Sequence, residues 1–465
     1  MTIRSHRVST ESNHHYATPL AYSSTMAFTF VDLFSGIGGF HAAMSAAGGK
    51  CVWASEIDPA ASRVYSINWG LKPSGDIREF TEPAVASSIP AHDVLVAGFP
   101  CQPFSKSGHQ LGFRDTTRGT LFFNICQVLE ARRPTVVFLE NVRNLAGPRQ
   151  RETWTTIIRE LRNLGYRVSD EPIVFSPHLL PPELGGAPQV RERVFIAGIH
   201  VGPERAWAES TIEPPVDLRP VTNWDPSLWH VENILLRDSE IPNVEDYLLP
   251  ADHQEWVDCW DDFVKCLLDA RNGTPLPGFP LWADEFKMRP KISADIPGWK
   301  ADFLRKNSAF YAEHRPIIDS WKKRWPEFVH FPASRRKLEW QAQDTESLWD
   351  CVLQFRPSGI RAKRPTYLPA LVAINQTSIF GPRRRRITPF EAQRLQGLPD
   401  WFTFGNQRDS DSYRQLGNGV SVGAAYHVFR QTLLASIRDV RKLNPDLALA
   451  IELSSEKPAV PSRGE

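Results

Sequence analysis

From residue 27 onward, apolar residues fall into short blocks separated by stretches in which they recur every three or four positions. FTFVDLF around Asp32, CVWAS from Cys51, DVLVAG from Asp93, TVVFLE from Thr135 and RVFIAGI from Arg193 are such blocks. They are rich in β-branched and aromatic side chains and read as strands buried on both faces. The segments near 39–47, 58–68, 118–131 and 152–164 carry the helical period. Strands alternating with helices predict a parallel α/β sheet.

The texture changes after about residue 201. Prolines scatter, and eleven of the fifteen tryptophans lie between Trp207 and Trp349. Trp256, Trp260, Phe263, Val264 and Leu267 share one helical face, and a second helix is expected near 301–325. Regularity returns from Arg386, with a helix expected over Ser421–Val440, where Ala425, Phe429, Leu433, Ile437 and Val440 keep helical spacing. The pattern divides the chain into a flexible lead over 1–26, an α/β domain over 27–200, a second and smaller domain over 201–382, a return to the first domain over 383–445, and a polar tail over 446–465. No internal repeat is visible.

Composition narrows the class. At 465 residues, with 42% hydrophobic and 23% charged side chains, the chain is a soluble globular protein too long for one ordinary core. There is no apolar run long enough to span a membrane, and the lead lacks the apolar core of a secretory signal. The six cysteines form no CxxC pair, so no metal site is expected, and a reduced, cytoplasmic location fits. A net charge of +1 leaves any nucleic-acid surface to local patches.

Three loops carry chemistry. DLFSGIGGF, Asp32–Phe40, turns from the first strand into a helix, and Gly36, Gly38 and Gly39 let backbone approach a ligand. Glu56 ends the second strand, where a carboxylate can take ribose hydroxyls, and Asp76 is placed for an adenine amino group. The spacing is not GxGxxG, which disfavours a dinucleotide and hence an oxidoreductase; an adenosyl ligand without phosphates fits better. GFPCQPFSKSG holds Cys101 on a proline-stiffened loop after a strand end, the edge where open parallel sheets bind ligands. A free cysteine is more often a small buried hydrophobe than a nucleophile, but these flanks are polar and kinked. FLENV brings Glu140 and Asn141 to another strand end. QVRER puts Gln189, Arg191 and Arg193 on one face and Glu192 on the other. Singly, each of these reads as a surface carboxylate or a salt-bridged edge; together, on one sheet edge, they read as a site.

The set DLFSGIGGF, GFPCQPFSKSG, FLENV, QVRER, RRITPFEAQRLQGLP and QLGNGVSV resembles the DNA (cytosine-5) methyltransferases of bacterial restriction-modification type. The motifs stand in that family's order over about 27–200 and 383–440. The resemblance implies a Rossmann-like methyltransferase sheet with a target-recognition domain, S-adenosylmethionine as cofactor and double-stranded DNA as substrate. Cys101 would add to C6 of a flipped cytosine, protonated Glu140 would bond N3, Arg193 would hold O2 and Arg191 would support the loop. Phe34 would stack on the adenine and Glu56, with Ile57 beside it, would bind the ribose. Asp76 and Ile77 would read the adenine, Pro100 and Leu121 would line the pocket, and Asn418 would close it. Ser105, Ser107 and Arg118 on the loop after the cysteine would meet DNA, as would Arg383, Arg384 and Arg385 in GPRRRRITP. The resemblance also implies a companion restriction endonuclease acting on the same site without contact, and a monomer. The family's Thr-Leu pair is matched only by Ala370–Leu371, and the tryptophans of the middle are expected to be core. An RNA cytosine methyltransferase and a catalytically inactive DNA-binding paralogue are the alternative readings.

Overall fold

The computed structural model describes residues 28–81, 85–100, 121–209, 224–343, 345–371 and 377–463. The first unit alternates as expected: β1 (Phe28–Leu33), α1 (Gly39–Ala46), β2 (Gly49–Ser55), α2 (Pro59–Trp69), β3 (Val94–Gly98), α3 (Leu121–Arg132), β4 (Val136–Val142) and α4 (Arg151–Asn163). Local chemistry sets these ends. Asp58 caps α2 through bonds from the Ala60 and Ala61 amides, Pro59 opens the helix, and Gly70 closes it at φ 69°.

Two short strands, β5 (Tyr166–Val168) and β6 (Ile173–Phe175), follow in the direction of β4, and the chain then turns back through β7 (Gln189–Val190) into β8 (Arg193–His200) and α5 (Pro203–Ala208). The sheet order is β2-β1-β3-β4-β8-β5, with β6 also on β8. It is therefore mixed, not purely parallel: β2, β1, β3 and β4 are parallel neighbours, and β8 is antiparallel to β4. This departure matters for chemistry. Because β8 runs backwards, its beginning lies at the carboxyl edge of β3 and β4; Gly98 pairs with Glu140, and Val142 with Arg193.

The middle unit holds α6 (Ala251–Ala270), β9 (Leu281–Trp282), α7 (Gly298–Arg324), β10 (Lys337–Gln341), β11 (Val352–Arg356), β12 (Gly359–Lys363), β13 (Leu368–Pro369), β14 (Ile379–Phe380) and β15 (Arg385–Arg386). Six of these strands form a second sheet in the order β15-β14-β11-β12-β10-β9. Its core, running from Leu249 to Ile379, is aromatic: Trp260, Trp321, Trp340 and Trp349 are buried with Phe263, Phe286, Phe310 and Phe328. Trp207 and Trp299 are exposed, so the expected aromatic core takes most but not all of the tryptophans. The helix α7 kinks at His314, ahead of Pro316, whose ring removes a backbone donor.

The chain then returns through α8 (Pro389–Gln396), α9 (Asp409–Asn418), α10 (Val422–Ala435), α11 (Ile437–Leu443) and α12 (Pro445–Leu453). The single helix expected over Ser421–Val440 is two, broken at Ser436. The polar tail is also corrected. Leu447, Ala448 and Ile451 of α12 are buried in the same core as Phe28 and Phe30. Asn444 caps this helix on the Leu447 amide at 3.0 Å and reaches Asp93 at 2.7 Å. Beyond the helix, Tyr426 donates to the Ser455 carbonyl and Trp401 to that of Pro461. A few hydrophobic positions at helical spacing inside a polar stretch were enough to dock it. The unit boundary is likewise uneven, for Val231, Leu235, Leu368 and Leu371 belong to the first unit's core.

Candidate active site

At the carboxyl edge of β1–β4 lies a cavity of about 540 Å³, within the range of a small-molecule cofactor site. Phe34, Gly36, Glu56, Ile57, Asp76, Ile77, Pro100, Leu121 and Asn418 line one part of it, and Glu140, Arg191 and Arg193 another. Cys101, Ser105, Ser107 and Arg118 lie outside the described residues, although Pro100, directly before Cys101, is on the cavity wall.

The glycines divide their labour. Gly36 sits at φ 55°, and a Cβ there would meet nothing within 4 Å, so it leaves the cavity open. Gly38 and Gly39 do not line the cavity, contrary to expectation. A Cβ on Gly38, at φ 93°, would stand 2.0 Å from the Trp69 indole nitrogen, and one on Gly39 would stand 2.6 Å from the Val420 carbonyl. They let α2 and the returning chain close against the loop. The Trp69 indole in turn donates to the Ile37 carbonyl at 3.0 Å, which pins the turn.

Glu56 accepts the Gly36 amide at 2.8 Å and the Asp58 amide at 2.7 Å. Burial raises its pKa, partly offset by those amides. Asp76 begins a short 3-10 turn, and its carboxylate is engaged by the Arg78 side chain and amide, which lower its pKa. Beneath the loop, Asp32 is wholly buried, and burial together with Glu56 pushes its carboxyl well above the usual range. Arg414 also reaches the cavity, from the face of α9 that carries Asn418 four residues later. It pairs with Asp58 at 3.3 Å and with Asp411 at 3.4 Å. Sequence reasoning missed Asp32 and Arg414; only the (i, i+4) spacing of Arg414 to Asn418 was there to find.

At the other end Glu140 meets Arg193 at 3.0 Å, with both side chains largely buried. Burial raises the Glu140 pKa against the lowering pull of Arg193 and Arg191, while burial lowers that of Arg193. Asn141 donates to the Phe99 carbonyl at 2.8 Å and so ties the loop that leads to Cys101 to the strand that carries Glu140. Arg191 donates to the carbonyls of Leu371 at 2.9 Å, Gly417 at 2.9 Å and Gly419 at 2.6 Å. It joins the catalytic edge to the middle unit and to the returning chain at once.

The basic run is corrected in part. Arg385 has no exposed surface; it pairs with Glu391, itself fully buried, and with Asp238. A guanidinium so enclosed has no face for a phosphate. Arg383 pairs with Glu232 at 2.9 Å and donates to the Leu236 carbonyl. Arg384 is exposed, and its guanidinium lies 4.4 Å over the Trp349 ring.

A helix-covered sheet whose carboxyl edge joins a cavity of small-molecule size to a Glu–Arg pair has the architecture of a methyltransferase. The family model for C-5 cytosine-specific DNA methylases matches residues 28–433, and the chain belongs to that family. It is a DNA (cytosine-5) methyltransferase. It is 44% identical to the type II methyltransferase M.AluI of Cellulosimicrobium cellulans over 90% of this chain and 94% of that one. It is 31% identical to M.BanI of Aneurinibacillus aneurinilyticus over 89% and 98%, and 42% identical to M.HhaI of Haemophilus parahaemolyticus over only 36% and 47%. The fold is similar to the crystal structure of a putative DNA modification methyltransferase encoded within an Escherichia coli prophage. That likeness has a TM-score of 0.50 at 20% identity and covers 88% of this chain and 99% of the other. No helix among the described residues is long and apolar enough to cross a membrane.

Proposed function

We propose that the chain methylates C5 of a cytosine flipped out of a specific double-stranded DNA sequence, through a covalent adduct of Cys101 with C6. The observation that carries this reading is the Glu140–Arg193 pair, set at the cavity wall next to Pro100 and held to the cysteine loop by Asn141. Flipping is required because a stacked base hides C6, and it costs a few kcal/mol.

The cavity fits S-adenosylmethionine. Gly36 leaves room that a side chain would fill, Glu56 faces the ribose position, and Phe34, Ile77 and Leu121 offer apolar walls for an adenine. When bound, the cofactor supplies an electrophilic methyl group for cytosine C5. The protein's own residues do the rest. The Cys101 thiolate forms the S–C6 bond, and the ring's electrons move toward N3 and C5. Protonated Glu140 donates to N3, a role suited to its raised pKa. Arg193 stabilises the charge at O2, and Arg191 keeps its neighbours in place. Once C5 has been methylated, loss of the C5 proton to a base restores the ring double bond and expels the Cys101 thiolate.

The alignment to M.AluI runs through the middle unit, and we propose that the two enzymes share a target. The enzyme would act as a cytoplasmic monomer, with a companion endonuclease cutting the same site in unmethylated DNA. Bisulfite sequencing of plasmid from an expressing host gives activity and target together; unconverted cytosines at one recurring sequence are expected. Label from tritiated cofactor appearing in transfer RNA alone would sink the reading. Cys101→Ala should abolish covalent trapping on 5-fluorocytosine DNA while leaving cofactor affinity unchanged.

A further inference from the structure

Arg414 joins two walls of the cavity. It stands on α9, whose Gln415, Gly417 and Asn418 also line that space, and its guanidinium meets Asp58 at the start of α2 at 3.3 Å. Among the described residues this is the one ion pair or hydrogen bond between α9 and the stretch from β2 through α2. The two side chains are 44% and 33% exposed, so the pair lies on the rim of the cavity, not in its floor.

Asp58 is connected inward as well. One carboxylate oxygen accepts the Ala60 and Ala61 amides and caps α2, and the other faces Arg414. Its own amide donates to Oε1 of Glu56, while the Gly36 amide donates to Oε2. A line of contacts thus runs from α9 through Asp58 to the carboxylate set for the ribose, which the glycine loop holds from its other side. The far end of α2 is fixed separately. Asn68 and Thr403 exchange two hydrogen bonds of 2.8 Å, and the Trp69 ring packs on that of Trp401 at 5.3 Å. The returning chain therefore holds α2 by hydrogen bonds and packed rings at one end, and by charge at the other.

We propose that the Arg414–Asp58 pair is a clasp on the cofactor cavity. It keeps α9 against the turn between β2 and α2, holds Glu56 at the ribose position and slows the escape of bound cofactor. Arg414 and Asp58 are positioning residues, and neither needs to touch the ligand. This inference rests on the reading of the cavity as the S-adenosylmethionine site. Charge gives the clasp a signature. S-adenosylmethionine carries one net positive charge, so a lone arginine on the wall repels it, and removing that arginine would tighten binding. A clasp makes the opposite demand: loss of either partner, cation or anion, weakens binding, and by a similar factor.

The test is isothermal titration calorimetry of the full chain with S-adenosylmethionine and with S-adenosylhomocysteine, which has no net charge. Arg414→Gln and Asp58→Asn should each raise Kd about two- to fivefold for both ligands, the range of a pair partly open to solvent. Asparagine caps a helix as well as aspartate does, so Asp58→Asn removes the charge and keeps the start of α2. The double variant should bind no more weakly than either single one, because the two residues act as one unit. Arg414→Lys should recover most of the loss. Unchanged or tighter binding in Arg414→Gln, or losses that multiply in the double variant, overturns the clasp. A wild-type protein that binds neither ligand overturns the cofactor reading instead.

Discussion

Two buried glutamate–arginine pairs sit in this molecule, and they are built differently. Glu391 accepts four hydrogen bonds, from Arg385 twice, from the Leu236 amide and from the Thr388 amide. Arg385 in turn bonds Asp238 and two carbonyls. Neither side chain has exposed surface. Among the described residues Glu140 has Arg193 alone, at 3.0 Å, and the pair opens onto the cavity. A buried charge pair with every lone pair answered fixes the join between two units; one with capacity to spare is set to bond something else. Charge is alike in the two pairs; burial is complete in one and interrupted by the cavity in the other, and hydrogen-bond completeness follows that difference.

The comparison breaks most sharply at Glu140. Glu140→Gln keeps the shape but loses the transferable proton, so kcat should fall about 10²- to 10⁴-fold with cofactor and DNA affinities kept. Single-turnover methylation measures this, and a variant of near wild-type rate would put the two pairs in one class. Removing one partner of the satisfied pair should cost folding, not chemistry. Arg385→Ala should destabilise by about 3–5 kcal/mol, and Arg385→Met with Glu391→Leu should recover most of that, as read by denaturant titration. A pH profile comes next. The acid form of Glu140 is the donor, and burial raises its pKa, so activity should persist above the usual carboxyl range. It should then fall about tenfold per pH unit as the coupled pair loses its proton, and Glu140→Gln should flatten that limb. The smallest effect is expected at the rim. Asp238 is 46% exposed beside Arg385, and Asp238→Ala should cost no more than about 1 kcal/mol, detectable as a small shift in melting temperature.

Much of the first unit was legible, because buried strands leave continuous apolar runs and the helices between them keep their period. The strands β5 and β6 were not. At three residues each they carry no periodicity, yet β8 pairs antiparallel with both, and its reversed course brings Arg193 to Glu140. In the run Arg383–Arg386 four identical letters hide unlike surroundings: Arg385 is buried, Arg384 is exposed. One signal was present. Thr388, Pro389 and Glu391 spell a capping box, which the structure forms, and a glutamate held there is in reach of a preceding arginine. Arg414 meets Asp58 across a long separation in the chain, a contact that no local pattern encodes.

The core that holds Phe28 and Phe30 is finished only by Val422, Phe429, Leu447 and Ile451. During synthesis, at roughly 5–20 residues per second, the stretch from Val201 to Ile451 takes on the order of 10–50 s to emerge. For that interval one side of the nascent sheet lacks its cover, while the middle unit, whose core residues all lie between Leu249 and Ile379, can close first. The middle unit can thus fold before the unit whose first strands precede it in the chain. The cavity at the carboxyl edge, which Asn418 and Arg414 help line, is complete only once this last stretch has emerged.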